Sequence, residues 1–335
     1  MRRRKFIIGS VLLCLSTASF AQNANTPKSR RIVIAHASSP VSEIRIDGDN
    51  PYVNALFDQL VKLGWVEGNN LEIVRFSANG RTDHFKEISE EIVKSSPELI
   101  VANTSAFVRA LKEATSTIPI VGVTADPLAY GLTKSLSRPD GNVTGVSVDA
   151  GLELWGKRLA IVREIVPSAS RIGFLTIRAS WDGPQGQSLS RAAREIGVAI
   201  LGPPLDDPVQ APEFRRVLNA MHAEHADAVV VGDASSNFTY RREIVALTNE
   251  LRIPAMFPYR EFVDEGGLVA YAVEVRELWR RAADCMNELL RGARVSEVPY
   301  YQASNFRLII NIRAAQRLGL VIPSSLSALA DEVIE

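Results

Sequence analysis

An α/β fold of two similar lobes, each a parallel sheet flanked by helices, is what this sequence predicts. The first observation is a unit of strand, polar loop, helix and strand that occurs twice, over residues 97–124 and 226–259. Each copy opens on a Val/Ile/Leu/Ala run apolar enough to be buried on both faces of a parallel sheet. The run breaks into small polar residues, Asn103-Thr104-Ser105 in one copy and Asp233-Ala234-Ser235-Ser236-Asn237 in the other, before an amphipathic helix and an Ile-Pro strand. The second observation is an unbroken alternation of strand-like and helix-like segments from Arg31 onward, the pattern of crossover-connected parallel strands. The third is length. A chain of 335 residues, 46% hydrophobic, favours two domains over one, and with no low-complexity linker between the halves, several chain crossings join them better than a single tether.

The elements follow in order. The first strand, 31–36, leads through a polar loop to a helix at 51–63, with Asn50 as its cap, Pro51 at its first position and Gly64 closing it. Strands are expected at 71–76, 99–103, 118–124 and 143–148, with helices at 82–94, 106–115 and 128–136 and a turn cluster at 138–142. A helix at 152–165, stopped by Pro167, opens the second half. Its strands are expected at 171–176, 198–201, 228–232, 254–258 and 268–272, and its helices at 186–196, 211–224 and 240–251. A long helix at 275–291 follows. The tail carries an extended stretch from Tyr300, a short helix at 311–318 and a last helix after Pro323.

The amino terminus differs in kind. Arg2-Arg3-Arg4-Lys5 is a cationic stretch, residues 6–15 are apolar, and Ser19-Phe20-Ala21 has the small-x-small pattern of a cleavage site. The apolar run is shorter than the roughly 20 residues a transmembrane helix needs, so residues 1–21 read as a removed secretion signal, of the general secretory or the twin-arginine kind. Removing it takes four of the 38 basic residues and none of the 38 acidic ones, leaving a net charge close to −4. With no basic block after Lys5, nucleic acid is not an expected partner. Cys285 alone remains after cleavage, so no intrachain disulfide forms, and its helical neighbours Ala282 and Met286 point to a buried, inert thiol.

Several stretches together resemble a known family. They are Gly64-Trp65-Val66-Glu67-Gly68-Asn69-Asn70-Leu71, Ile118-Pro119-Ile120, the run from Ser137 through Arg138-Pro139-Asp140-Gly141-Asn142 to Ser147, Gly266-Gly267-Leu268, and Asn311-Ile312 through Gly319 and Pro323 to Glu335. In that order they resemble the ABC-transporter substrate-binding proteins of the tryptophan/tyrosine type, from about Arg31 to the end. The resemblance implies a type I periplasmic-binding-protein fold: two Rossmann-like lobes, hinged by three crossings, that close on a small solute and deliver it to a membrane permease. One departure is Val269-Ala270-Tyr271-Ala272-Val273-Glu274, where such proteins usually read Ser-Tyr-Gly after the Gly-Gly-Leu. The expected division is a first lobe of 31–147 plus 275–297 and a second of 148–274 plus 298–335.

In doubly wound lobes the loops at the carboxyl ends of strands face the cleft, and free N–H groups at the next helix start attract anions. Asn103, Thr104 and Ser105 are therefore candidates for a ligand carboxylate, or Thr104 or Ser105 caps the helix. Ser38 and Ser39, after the first strand, and Thr124, at the end of its own, are further candidates. Asp126 caps the next helix or meets a ligand ammonium. Asp233 holds the matching strand end of the second lobe, facing an ammonium or hydroxyl or making an Asx turn with the loop of Ser235. Trp181, Tyr259 and Tyr271 stand at or just after strand ends, as core residues or as aromatic faces over a flat ligand. His36, at the end of the first strand, is a satisfied buried histidine by default, with ligand contact as the alternative. His222 and His225 lie three apart on a helix without a third ligand in sight. There is no GxGxxG after a strand, no GxxxxGKS and no serine nucleophile elbow.

The expectation is a periplasmic, monomeric solute-binding protein of an ABC importer. It closes on a small carboxylate-bearing ligand, with an aromatic amino acid or aromatic acid as the class the resemblance implies, and holds no cofactor or metal. The alternatives are a secreted two-lobed enzyme, which would pair Asp126 with Asp233 or His36, and a soluble sensor presenting its ligand to a receptor.

Overall fold

The computed structural model of the protein describes residues 29–148, 153–207 and 209–335; the expected secretion signal at 1–21 lies outside them. The first half runs β1 (Arg30–His36), α1 (Pro51–Lys62), β2 (Leu71–Ser77), α2 (Phe85–Lys94), β3 (Leu99–Asn103), α3 (Ser105–Ala114), β4 (Ile120–Thr124) and β5 (Val143–Ser147). The second half runs α4 (Leu154–Ile165), β6 (Arg171–Leu175), α5 (Arg178–Asp182), α6 (Pro184–Glu195), β7 (Ala199–Leu201), α7 (Ala211–Ala223), β8 (Ala228–Val231), α8 (Ser235–Thr239), α9 (Arg241–Glu250), β9 (Ala255–Phe257), α10 (Arg260–Asp264) and β10 (Val269–Val273). The chain closes with α11 (Val275–Leu290), β11 (Tyr301–Gln302), β12 (Phe306–Asn311), α12 (Ile312–Leu318), α13 (Ser324–Leu329) and β13 (Glu332–Ile334).

Two sheets organise these elements. The first has the order β11-β5-β4-β3-β1-β2 and is parallel throughout. The second has the order β13-β12-β10-β9-β8-β6-β7, with β10 and β12 its one antiparallel pair among the described residues. The central strands β4 and β8 are buried along their whole length, as expected where helices cover both faces of a parallel sheet. Within each sheet the strand order reverses once, between β1 and β3 and again between β6 and β8. Those are the switch points outside which open α/β sheets bind ligands.

Three crossings connect the sheets: between β5 and α4, between β10 and α11, and between β11 and β12. The helix after the second crossing returns to the first sheet, where Leu278, Trp279, Ala282 and Met286 of α11 join the core built on β1 and α1. Cys285 is buried there, and burial pushes its thiol up to about 12. The last crossing lies later than the expected 297–298 boundary, because Tyr301 and Gln302 still pair with Val146 and Ser147 in the first sheet.

Local chemistry sets the element ends. Asn50 Oδ1 accepts from the N–H groups of Tyr52 and Val53 with Pro51 at the first helical position, satisfying donors that have no partner within the helix. The helix expected at 128–136 is instead a series of turns. Asp126 Oδ1 takes the N–H groups of Leu128 and Ala129, and Asp140 Oδ1 takes Thr133 Oγ1 and the Lys134 N–H; such side-chain acceptors compete with helical pairing. The short helices α5, α8 and α10 went unpredicted, since five residues are too few to show a helical period. Among the described residues no helix is long and apolar enough to cross a membrane.

Candidate functional site

The carboxyl ends of the two sheets face each other across a cavity of about 250 Å³. Its first wall comes from the ends of β1, β3 and β4, through His36 and Ser38, Asn103 to Ser105, and Thr124. Its second wall comes from the ends of β6, β8 and β9, through Ile177 and Ser180, Asp233 to Ser235, and Tyr259, together with Gln185 at the start of α6. Val148, Val275 and Trp279 line it where the chain crosses between lobes. The lobes also meet directly: the rings of Tyr52 and Phe238 lie 6.3 Å apart, and Thr82 Oγ1 donates to Asp207 Oδ1 at 3.3 Å.

The first wall is rich in donors. Thr104, at the amino end of α3, has φ +69° and ψ 138°, a conformation that is strained for a β-branched residue. Its hydroxyl makes no capping bond and has no partner among the described residues. Thr124, 1% exposed, likewise has an unpartnered Oγ1. Ser105 Oγ accepts the N–H of Ala125, and Asn103 Oδ1 accepts that of Ala37, so both fasten neighbouring loops. With α3 left without a side-chain cap, its first-turn N–H groups and these hydroxyls suit an anion or a carbonyl. Arg109 adds a cation at the rim.

The second wall is rich in acceptors. Asp233 accepts from Gln185 Nε2 at 2.5 Å. Burial raises its pKa, opposed by that hydrogen bond and by the Arg158 guanidinium. Arg158 itself is buried, sits 4.8 Å over the Trp155 ring and donates to the Tyr271 carbonyl. Gln185 is 2% exposed, and its Oε1 has no partner among the described residues. Between the polar walls lie the rings of Tyr52, Phe85, Phe238, Tyr259 and Trp279, and the Tyr52 hydroxyl is also buried without a partner. Buried polar groups are rarely left unpaired in native proteins, and four such atoms belong to residues that line this one cavity.

Of the residues expected from sequence, Ser38, Asn103, Thr104, Ser105, Thr124, Asp233, Ser235 and Tyr259 line this cavity. Ser39, Asp126, Trp181 and Tyr271 do not. Ser39 is consumed by the loop it builds, its N–H given to His36 Nδ1 and its hydroxyl accepting from Asn50. Asp126 ties the turn described above. Trp181 falls on α5, which folds its ring back onto Phe174 at 5.6 Å. Tyr271 points into the second core and stacks on Phe306 at 5.5 Å. Sequence reading missed Tyr52, Phe85, Gln185, Phe238 and Trp279, all carried by helices. Only Tyr52, behind the Asn50-Pro51 cap signal, had a sequence cue to its place beside the cleft.

Comparison with known proteins agrees with this architecture. The family model described as ABC transporter substrate binding protein matches residues 41–334. A tyrosine-binding protein of Clostridioides difficile is 24% identical over 262 residues, 78% of this chain and 73% of that protein. Among solved structures, a conserved domain protein from Vibrio cholerae superposes with a TM-score of 0.80 at 22% identity, covering 91% of this chain and all of the other. The ABC domain of a Streptococcus pneumoniae protein in complex with L-Trp gives 0.78 at 21% identity, covering 92% of this chain and all of the other. These neighbours share the type I periplasmic-binding-protein fold with this chain.

Proposed function

The chain belongs to the ABC transporter substrate binding protein family, and on that premise we propose that it is the extracytoplasmic, monomeric binding component of an importer, closing two lobes on a small aromatic solute that carries a carboxylate. The bodies that close are those built on the two sheets, residues 30–147 with 275–303 and residues 154–273 with 306–334. The observation that carries the reading is that four residues with unpartnered buried polar atoms, Tyr52, Thr104, Thr124 and Gln185, line one cavity between the lobes. Three are hydroxyls on the first lobe, able to donate, and the fourth is the Gln185 Oε1 acceptor on the second.

Size supports an aromatic occupant. An apolar cavity of about 150 Å³ holds benzene, so this one of about 250 Å³ takes a ring with a short polar arm. The carboxylate is placed against Thr104, Thr124 and the start of α3, the ring among the cleft aromatics, and an amine, where the solute has one, against Asp233. Contacts to both lobes favour the closed state by differential affinity, and the closed complex is the form handed to a membrane permease.

The relatives bind tyrosine and tryptophan, so those two amino acids are the first to test. Mass spectrometry of whatever purified protein releases, followed by calorimetry with that compound and with L-tyrosine and L-tryptophan, checks the proposal. Recovery of an unmodified aromatic acid or amino acid supports it. Equal affinity for a neutral amide analogue rejects the carboxylate assignment, and a chemically altered product points to an enzyme instead.

A further inference from the structure

We infer that His36 is a hydrogen-bond donor locked in one tautomer and held without charge in the floor of the cleft, so that an occupant of the cavity must offer it an acceptor. The inference rests on the reading of the cleft as a solute site and adds a specificity-determining residue to it.

The argument starts from two backbone amides. His36 Nδ1 lies 2.9 Å from the N–H of Ser39 and 3.2 Å from that of Ser38. A backbone amide can only donate, so Nδ1 must present its lone pair, and the single proton of a neutral ring then sits on Nε2. The tautomer follows from chemistry that leaves no choice of ring orientation.

The loop that delivers those amides is fastened on three sides. The Ala37 N–H donates to Asn103 Oδ1 at 2.8 Å, Asn50 Nδ2 donates to Ser39 Oγ at 2.8 Å, and Ser77 Oγ donates to the Ser39 carbonyl at 2.6 Å. Asn50 is fixed in turn, because its Oδ1 accepts from two N–H groups of α1. The ring stacks on Trp279 of α11 at 5.8 Å with the planes 15° apart. Partners that fix both the tautomer and the orientation of a histidine are how proteins aim its second nitrogen.

The second nitrogen is the available one. His36 is 3% exposed and lines the cavity, and none of the described residues accepts from its Nε2. It stands at the end of β1, beside the β1/β3 switch point where ligands of such sheets sit. A second proton would have to land on Nδ1 and displace both amides, while burial independently disfavours the charged ring. The group therefore donates one hydrogen bond and brings no charge. It accommodates a carboxylate, a carbonyl or a ring nitrogen and leaves an ammonium unpaired.

The test is nitrogen NMR of the histidine-labelled protein, with indole-3-acetate and tryptamine as probes that share a ring and differ in the polar end. The expected spectrum of the free protein shows His36 protonated on Nε2, and indole-3-acetate moves that resonance while tryptamine does not. His36→Gln, which keeps a donor, should retain affinity for indole-3-acetate within a few-fold, and His36→Phe, which keeps the stack on Trp279 without a donor, should lose at least tenfold. A proton on Nδ1, an equal response to tryptamine, or unchanged affinity in His36→Phe overturns the inference. If neither indole binds, the aromatic reading of the cleft fails on its own, and the nitrogen shifts still decide the state of His36.

Discussion

Gly80 and Thr239 meet across the gap between the lobes so closely that a Cβ on Gly80 would stand 2.9 Å from Thr239 Oγ1. Gly80 has φ +81°, so a substitution there would also strain the backbone. Thr239 is exposed at the end of α8 and carries no such constraint. Thr239→Phe should therefore wedge the lobes apart without disturbing either core. The dissociation constant of the solute recovered from the protein is expected to rise at least tenfold, about 1.4 kcal/mol, with the melting temperature of the free protein unchanged. Small-angle scattering of the saturated variant should keep the larger, open radius of gyration. A variant that compacts on binding as the wild type does would remove this contact from closure.

The Thr124 hydroxyl is a buried polar atom with no partner among the described residues. Replacing such a group with an apolar isostere is neutral or stabilising for the free protein, whereas losing its hydrogen bond to a charged partner costs about 1.5–3 kcal/mol. Thr124→Val should thus hold or raise the melting temperature and weaken a carboxylate-bearing solute about tenfold to a hundredfold. Opposite signs on stability and affinity separate a contact residue from a structural one. Lower stability with unchanged affinity would assign Thr124 to the core.

The strands were legible because burial on both faces leaves an uninterrupted apolar run, as at Leu99–Asn103, where sequence and structure agree residue for residue. The polar strand ends are legible for the same reason, and Asn103, Thr104, Thr124 and Asp233, named from them, line the cavity. What escaped is short or borrowed. α8 is five residues long yet supplies Phe238, and Trp279 reaches the cleft only because α11, which follows the second half in sequence, packs on the first sheet. Trp181 and Tyr271 were misplaced because period and position cannot say which way a ring turns once a chain enters a short helix or an inner strand. Tertiary placement decided these, and no local pattern encodes it.

Asp233 is set to be pH-sensitive in its affinity. Burial raises its pKa, with Gln185 and Arg158 opposing, and a ligand ammonium would favour the ionised form. Binding an amine-bearing solute then expels a proton from whatever fraction is protonated, so affinity rises with pH through that raised pKa and levels off above it. Calorimetry in buffers of differing ionisation enthalpy measures the released proton. Asp233→Asn should lose both the affinity and its pH dependence, and a deaminated analogue should show no such dependence in the wild type. Identical pH profiles for the amine and its deaminated analogue would take Asp233 out of the amine site.

His36 and Glu261 give stability slopes of opposite sign. Burial lowers His36 to about 4 from 6.5, so between those values the unfolded chain binds a proton that the folded one refuses, and stability falls as pH is lowered through that window. Burial raises Glu261 from 4.5 to about 7, so the folded chain keeps a proton that the unfolded one has lost, and stability falls as pH is raised through that window. Where the windows overlap, each contributes up to about 1.4 kcal/mol per pH unit and the two cancel. Urea unfolding at several pH values should show His36→Asn losing stability as pH rises across the overlap, and Glu261→Gln gaining it. Carboxylates held at low pKa by ion pairs act equally in all three proteins and drop out of the comparison. If both variants run parallel to the wild type, neither group is held in the protonation state its burial dictates, and the neutral ring in the cleft floor goes with them.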